Sequence, residues 1–251
     1  MSPVLFLRKI LQPFYTTYVV VTFVAGLLIN FPFFVLISIG NNITARKIIY
    51  TVVKYWAQTW LWMIGMPLKK TGPQPPAGRY VVVANHISYM DTVVLFCGLP
   101  GYFRPLGKKE FARIPLFGFL YKQVAILVDR SSAESRTKSM RLMWRVLKHE
   151  GDILIFPEGT FNETGEPLKE FYNGAFRLAI NTQTPILPVI FPDTVDRWHY
   201  SAWWKIWPGI NRAVYLEPIP VSGMTIEHLP DLKEKVHNTM EAALMKYRSY
   251  A

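Results

Sequence analysis

One histidine and one aspartate stand five residues apart directly after an apolar run. The run extends from Tyr80 to Ala84, and His86 and Asp91 follow it within the segment NHISYMD. Imidazole is the side chain that most often removes a proton from an alcohol near neutral pH. A carboxylate bonded to its far nitrogen fixes the tautomer and stabilises the imidazolium. His86 and Asp91 are therefore candidates for a catalytic base and the carboxylate that orients it.

The spacing of this pair predicts the local course of the backbone. Two residues five apart in one continuous α-helix lie roughly 140° apart around the axis, so their side chains do not meet. They can interact only if the chain turns after the strand and Asp91 lies at or near the start of the next helix, DTVVLFCGL. A helix-capping aspartate beside a structural histidine is the alternative that this pattern leaves open.

A second polar segment follows another short apolar run. Asp152 to Phe156 is the run, and FPEGT, from Phe156 to Thr160, opens a polar loop. In parallel α/β sheets, ligands bind outside the carboxyl ends of the strands. We therefore expect the two polar segments to lie on the same edge of a sheet and to form one site.

Four blocks, in this order, resemble those of the glycerolipid acyltransferases of the lysophosphatidic acid acyltransferase type. NHISYMD is similar to the NHxxxxD block of that family. The other three blocks are VAILVDR (Val124 to Arg130), FPEGT and ILPVI (Ile186 to Ile190). The likeness covers residues 70 to 220, and four blocks in order are far more specific than any one alone.

The resemblance implies a mechanism. His86 would take the proton from a lysophospholipid hydroxyl, which then attacks the carbonyl of an acyl thioester with no covalent acyl-enzyme. Asp91 would orient the histidine, and backbone amides or nearby polar groups would stabilise the oxyanion. Ser88 is not expected to be a nucleophile, because no G-x-S-x-G turn surrounds it. The acceptor would be 1-acyl-sn-glycerol 3-phosphate or another lysolipid; a lipid hydrolase and a non-catalytic membrane adaptor are the alternatives from other classes.

By the same resemblance, Arg130, Glu158, Gly159 and Thr160 would bind the glycerol phosphate of the acceptor. Arginine donates two hydrogen bonds at once to a phosphate. A carboxylate would repel it, so Glu158 is assigned to the glycerol hydroxyl. Gly159 would let backbone N–H groups approach the ligand closely.

Phe161 departs from the family pattern, which usually has arginine or serine at this position. One phosphate contact would then be missing. Lys169, or the pair Lys108 and Lys109 before EFARIPLFG, could supply the charge. ILPVI is expected to be a buried strand with its proline at a bulge or an edge, where it shapes the wall of the site.

The amino-terminal region contains a run without charged residues from Val19 to Ile39. As a helix it could span a bilayer core of about 30 Å. Asn30 and Pro32 interrupt it, and because proline kinks a helix, a broken or re-entrant hairpin in one leaflet is the alternative. Basic residues flank the run on both sides, which favours a monotopic hairpin with both ends cytoplasmic. These residues are Arg8, Lys9, Arg46, Lys47 and Lys54.

Two groups of tryptophans each have more than one interpretation. Trp56, Trp60 and Trp62 would either sit at the lipid interface or pack between helices. The second group would touch lipid, line an acyl channel or form a buried cluster. It consists of Trp198, Trp203, Trp204 and Trp207.

Composition agrees with a peripheral membrane enzyme. The chain has 251 residues, 51% of them hydrophobic, and a net charge of +11. Anionic lipid, phosphate-bearing substrates, coenzyme A and acyl carrier protein would all be attracted by this charge, whereas no nucleic-acid-binding motif accompanies it. We expect acyl-CoA or acyl carrier protein as the donor and no cofactor. Cys97 is the sole cysteine and no HExxH occurs, so no metal site is predicted and a reducing compartment is expected.

The predicted fold is α/β, with a mixed, largely parallel sheet flanked by helices. Residues 1–70 form the membrane-anchoring helical hairpin and residues 71–251 the catalytic domain, which is expected on the cytoplasmic side of the cell membrane. Further elements are expected as helices at Ser135 to His149, at Asn173 to Asn181 and from Pro230, and as a strand at Ala213 to Leu216.

Overall fold

The computed structural model describes residues 3–129 and 131–248. The strands are β1 Leu68–Thr71, β2 Val81–Ala84, β3 Phe103–Lys108, β4 Ile126–Val128, β5 Asp152–Ile155, β6 Ile186–Ile190 and β7 Asn211–Tyr215. Within these residues they form one seven-stranded sheet in the order β1-β7-β6-β2-β5-β3-β4. Strands β2 to β6 run parallel, β7 is antiparallel to β6, and β1 is parallel to β7. The predicted mixed, largely parallel sheet is confirmed.

Helices cover both faces of the sheet. They are α1 Pro3–Ser38, α2 Ile43–Met63, α3 Asp91–Gly98, α4 Phe117–Val124, α5 Ala133–His149, α6 Gly174–Thr182, α7 Thr194–Arg197 and α8 Leu229–Tyr247, with short 3-10 helices at Lys109–Arg113 and Ile226–His228. The four other elements predicted from the sequence are α5, α6, α8 and β7. In α8, Leu232, Val236, Met240 and Leu244 recur every four residues and are buried, and Pro230 lies in the first turn.

The central strands divide their side chains between two apolar cores. In β2, Val81 and Val83 face a core that contains residues of α5, α6 and α8. Val82 and Ala84 face a second core, which contains residues of α1, α2 and α3. Because alternate side chains of a strand point to opposite faces, a strand covered on both sides must be apolar throughout. This requirement explains the continuous apolar runs in the sequence.

Helices α1 and α2 form an antiparallel hairpin. Their buried side chains belong to the second core and pack against one face of the sheet. The indole of Trp60 is buried and donates to Thr22 Oγ1 over 3.1 Å. The ring of Phe23 contacts the rings of Trp56 and Trp60. Trp62 is instead 76% exposed. The two helices therefore form a hairpin in which Trp56 and Trp60 pack between helices, while the position of Trp62 at a lipid interface stays a prediction.

The turn of the hairpin lies later than Pro32. Helix α1 continues through Pro13 and Pro32 to Ser38, so the predicted break at Asn30 and Pro32 is wrong. Asn30 donates its side-chain amide to Gly26 O over 2.8 Å within the helix. The chain reverses after Gly40, where Asn41 has a positive φ of 38° and Asn42 caps α2 by accepting from Ala45 N.

The position of Pro188 in the sheet differs from the one expected from the sequence. Pro188 lies in β6, an interior strand rather than an edge strand. Strand β7 pairs with β6 beyond Pro188, at Val189 and Ile190, and the carbonyl of Pro188 accepts from Leu216 N over 3.0 Å. The division predicted between residues 70 and 71 falls inside β1, which is paired with β7.

Candidate active site

The turn between β2 and α3 brings His86 and Asp91 together. His86 Nδ1 lies 2.9 Å from Asp91 Oδ2, and the same oxygen accepts from Ile87 N and Ser88 N, each over 2.8 Å. Asp91 is fully buried and is the first residue of α3, where the helix dipole favours a negative charge. The strand, loop and helix predicted from the spacing of the two residues are confirmed.

The geometry fixes the tautomer of the imidazole. A carboxylate can only accept hydrogen bonds, so His86 Nδ1 carries the proton and Nε2 keeps its lone pair. The side chain of His86 is 15% exposed. Its ring stacks on Phe156 with centroids 4.1 Å apart and meets the edge of Phe161 at 4.4 Å. The arrangement is that of an oriented base whose lone pair is available to an acidic proton.

Further contacts hold the turn in place. Asn85 closes a pair of hydrogen bonds with the backbone of Phe191, at the end of β6, over 2.7 and 3.2 Å. Ser88 Oγ accepts from Met90 N over 2.9 Å and donates to Trp198 O over 2.5 Å. The role of Asn85 was missed from the sequence, although it directly precedes His86 and ends an apolar run.

Glu158 connects the two polar segments beneath His86. Its carboxylate accepts from His86 N over 2.7 Å and from Lys169 N over 3.0 Å. The residue is 1% exposed, and burial raises the pKa of its carboxyl to about 7, against the opposing effect of the two N–H donors. The carboxylate is therefore occupied by the backbone, while its predicted contact with a glycerol hydroxyl stays a prediction.

Gly159 and Thr160 begin the loop that leads away from β5. Gly159 has a φ of 77°, a conformation that favours glycine, and it turns the chain out of the strand. The hydroxyl of Thr160 accepts from Lys169 Nζ over 2.7 Å, and the same ammonium lies 3.3 Å from Phe161 O. Lys169, Lys108 and Lys109 were the cations considered for the missing phosphate contact. Of these three, Lys169 is the one that contacts the FPEGT loop.

The other predicted cations lie elsewhere along the same edge. Lys108 ends β3 and is exposed, and Lys109 Nζ lies 3.8 Å from Asp129 Oδ2, after β4. Arg130, the predicted phosphate-binding arginine, lies outside the described residues. Cys97 is buried in α3, as expected, and burial raises the pKa of its thiol to about 12. No cluster of metal-binding side chains occurs within residues 3–129 and 131–248.

Two cavities adjoin Phe156, the residue stacked on His86. One, of about 140 Å³, is almost wholly apolar and is lined by residues of α2, α3 and α4 with Phe23 of α1. The other, of about 620 Å³, is lined by Gly159, Thr160 and residues of α5, among them Arg136. An apolar and a more polar cavity therefore both border Phe156, and the ring of Phe156 stands between them and His86 in contact with the imidazole.

Comparisons with known proteins identify the family. The Acyltransferase family model matches residues 68–192. The chain is 30% identical over 197 residues to a 1-acyl-sn-glycerol-3-phosphate acyltransferase of Haemophilus influenzae, covering 76% of this chain and 79% of that protein. It is 29% identical over 206 residues to 1-acyl-sn-glycerol-3-phosphate acyltransferase alpha of Homo sapiens, covering 80% of this chain and 70% of that protein.

A solved structure shares the fold. The crystal structure of the 1-acyl-sn-glycerophosphate (LPA) acyltransferase PlsC from Thermotoga maritima matches with a TM-score of 0.77 and 22% identity, over 96% of this chain and 98% of that chain. The family model spans the strands that carry both polar segments, and the Haemophilus relative is matched over most of its length. The chain belongs to the 1-acyl-sn-glycerol-3-phosphate acyltransferase family.

Proposed function

We propose that this protein transfers a fatty acyl group from an acyl thioester to the sn-2 hydroxyl of 1-acyl-sn-glycerol 3-phosphate and so forms phosphatidate. The observation that carries the proposal is the bond between His86 Nδ1 and Asp91 Oδ2, which leaves Nε2 of the imidazole as a base. The names of the relatives support the choice of acceptor, since several act as 1-acyl-sn-glycerol-3-phosphate acyltransferases.

The proposed reaction proceeds in two steps without a covalent intermediate. His86 Nε2 takes the proton of the acceptor hydroxyl as its oxygen attacks the thioester carbonyl. The tetrahedral intermediate then collapses, the C–S bond breaks, and the imidazolium returns the proton to the departing thiolate. Asp91 stabilises the imidazolium while it carries the positive charge. The buried Asp91 and the stack on Phe156 hold the ring in one orientation throughout.

The surroundings of the two nucleophilic side chains support the absence of an acyl-enzyme. Ser88 Oγ donates to Trp198 O and accepts from Met90 N. The thiol of Cys97 is buried, and its raised pKa keeps it protonated near neutral pH. Direct attack by the acceptor is therefore the mechanism that the described residues support.

The two cavities suit the two parts of the substrates. The apolar cavity would take the fatty chain, and the more polar cavity beside Thr160 would take the glycerol phosphate. Lys169 and Arg130 are the proposed phosphate contacts, with Lys108 and Lys109 further along the edge. The donor is proposed to be acyl-CoA or acyl carrier protein, both of which are anionic and would be attracted by the net charge of +11.

The first helix supports attachment to a membrane. Within the described residues, Leu7–Ser38 is the one helical stretch long and apolar enough to cross a bilayer. Many of its exposed apolar side chains lie on one broad face of the helix. They include Leu7, Leu11, Phe14, Tyr18, Val21, Leu28, Phe33 and Leu36.

The opposite face of α1 packs on the rest of the protein along most of its length. Thr16 contacts the backbone at Trp204, Val19 and Phe34 are buried, and the ring of Phe31 contacts Phe119 of α4. A helix held along the domain in this way cannot cross a bilayer alone. We therefore propose that it lies in one leaflet, monotopically, with the domain on the cytoplasmic side, as the flanking basic residues favour.

An acceptor-dependence assay tests the proposed reaction. The purified full-length chain receives an acyl thioester with and without lysophosphatidate, and thiol release and phosphatidate are both measured. We expect thiol release only when the acceptor is present, and its loss in His86→Ala. Thiol release without acceptor would identify a hydrolase, and no release in either case would identify an adaptor. Repeating the assay with other lysolipids tests the choice of head group.

Membrane attachment has a separate test. The triple variant Phe14→Glu, Val21→Glu and Leu28→Glu places charges on the exposed face and leaves the buried face intact. We expect the wild type to sediment with phospholipid vesicles and the variant to remain largely in the supernatant. Full sedimentation of a folded variant would contradict the assignment of this face to lipid.

A further inference from the structure

A short hairpin between α7 and β7 exposes two adjacent tryptophans. Trp198 pairs with Ile206, and His199 N donates to Lys205 O over 3.2 Å. At its tip, Trp203 and Trp204 are 60% and 54% exposed. We call residues 198–207 the tryptophan hairpin. Neighbouring exposed indoles are unusual on a surface that meets only water, whereas they are common at the boundary between water and lipid.

The tryptophan hairpin rests on the first half of α1. Thr16 Oγ1 donates to Trp204 O over 2.8 Å, and Gln12 Nε2 donates to Ile206 O over 3.4 Å. Phe14 is 71% exposed and lies between these two contact points in the sequence of α1. Gln12 and Thr16 lie on the packed side of α1, opposite Phe14, so the tryptophan hairpin lies beside the amino-terminal half of the helix whose other face we propose to lie in lipid.

The charged side chains of the tryptophan hairpin and of the first turns of α1 are cationic, and the nearby Asp196 is paired with Arg248. Arg8 lies with its guanidinium 5.1 Å from the ring centre of Trp207, and Lys9 and Lys205 are exposed. No aspartate or glutamate precedes Asp91 in the chain, and none occurs from Arg197 to Leu216. Indoles surrounded by cations match the boundary of a bilayer that contains anionic lipid.

The other end of the tryptophan hairpin contacts the segment that carries the base. Ser88 forms an antiparallel bridge with His199 and donates its hydroxyl to Trp198 O. The rings of Tyr89 and Trp198 lie 5.4 Å apart. The same ten residues therefore reach from the proposed lipid surface to the NHISYMD turn.

We infer that Trp203 and Trp204 insert into the interfacial region of an anionic bilayer and form, with α1, one membrane-contact surface that extends to the catalytic turn. The tryptophan hairpin fixes the depth and the orientation of the site relative to the lipid head groups. The inference rests on the proposed membrane attachment of α1, and it does not depend on acyl transfer.

Quenching of tryptophan fluorescence by brominated lipids tests this inference. The full-length chain is reconstituted with vesicles of phosphatidylglycerol and phosphatidylethanolamine that contain dibrominated phosphatidylcholine. Helix α1 contains no tryptophan, and the indoles that pack on it or lie on α2 are present in every variant, so only the difference between variants reports on Trp203 and Trp204. The test variant is Trp203→Phe with Trp204→Phe. The matched control is Trp144→Phe, which removes an indole that is 43% exposed on α5, across the sheet from α1.

We expect the bromine-quenched part of the emission to fall in the double variant and to stay at the wild-type level in the Trp144 variant. Sedimentation with the same vesicles is measured in parallel. A wild type that sediments, with no loss of quenched emission in the double variant, would refute the insertion of the tryptophan hairpin. A wild type that does not sediment would instead refute the attachment of α1. Neither result requires a measurement of turnover.

Discussion

The segment after β2 and the segment after β5 meet at one edge of the sheet but are held in different ways. Three N–H donors, two from the backbone and one from His86, converge on a single oxygen of the buried Asp91. After β5, the cation nearest FPEGT is the half-exposed Lys169, held by a hydroxyl and a carbonyl. Backbone N–H groups position the carboxylate of the proposed base, whereas a long side chain supplies the charge of the proposed anion site. Substitutions in the first region should therefore lower kcat, and those in the second should raise KM for the acceptor.

The largest expected effect is that of Asp91→Asn. The amide oxygen can still accept from Ile87 N and Ser88 N, so the turn should keep its shape, but the charge that stabilises the imidazolium is lost. We expect kcat to fall about 10³-fold or more, with a small change in KM. Steady-state kinetics with saturating donor measure both constants. Asp196→Asn, at a partly exposed ion pair with Arg248, is the matched control and should keep wild-type kinetics.

Glu158→Gln is expected to have the next largest effect. Both carboxyl oxygens of Glu158 accept from backbone N–H groups, and a glutamine amide nitrogen cannot accept from either. One buried N–H is left unpaired, which should cost about 1–3 kcal/mol of unfolding free energy. We expect kcat to fall about tenfold, because the His86 backbone loses a restraint. A variant with unchanged thermal unfolding and kcat would contradict this connecting role.

The same residue should make stability depend on pH. Burial raises the pKa of the Glu158 carboxyl from 4.5 to about 7, so the folded state keeps this proton where the unfolded chain has lost it. Its contribution is fully present below pH 4.5 and is lost as the pH rises through 7, by roughly 3 kcal/mol at most. Between about pH 5 and about pH 8, the unfolding temperature of Glu158→Gln should therefore fall less than that of the wild type.

Lys169→Met tests the second region directly. Removing the ammonium should raise KM for lysophosphatidate about tenfold and leave kcat nearly unchanged, because a charge-assisted hydrogen bond is lost in the ground state and transition state alike. Lys169→Arg should restore most of the affinity. The control is Lys233→Met, which removes a cation of α8 that is paired with Glu170. A fall in kcat with constant KM would place Lys169 in the chemical step instead.

The smallest effect is expected for Phe161→Leu. Phe161 presents an edge to His86 and to Tyr89, at 4.4 and 4.8 Å between ring centres. Such contacts contribute about 0.5–1.5 kcal/mol, and the stack on Phe156 remains, so kcat should fall only about threefold. An effect as large as that of Asp91→Asn would mean that Phe161, and not the backbone, holds the base.

Local patterns predicted the elements that carry the site. The apolar run before His86 and the spacing to Asp91 were sufficient to predict the strand, the turn and the start of the helix, because these elements depend on neighbouring residues. Contacts between segments far apart in the chain could not be predicted from such local patterns. The bond from Glu158 to His86 N joins residues 72 apart in the chain. The helix through Pro32 was also mispredicted, since packing of α1 along the domain outweighs the loss of one backbone donor.

The second core joins the hairpin of α1 and α2 to the sheet. Trp60, Leu61, Ile64 and Met66, at the end of α2 and just after it, are buried in the same cluster as Val82 and Leu187 of the central strands. Cutting the chain in the loop before β1 would strip one layer from the sheet and expose its apolar surface to water. Solubilisation by truncation should therefore yield aggregates in place of an active fragment. Folding of the sheet and docking of α1 and α2 should therefore be coupled, so a polypeptide that lacks these two helices should also fail to become an enzyme.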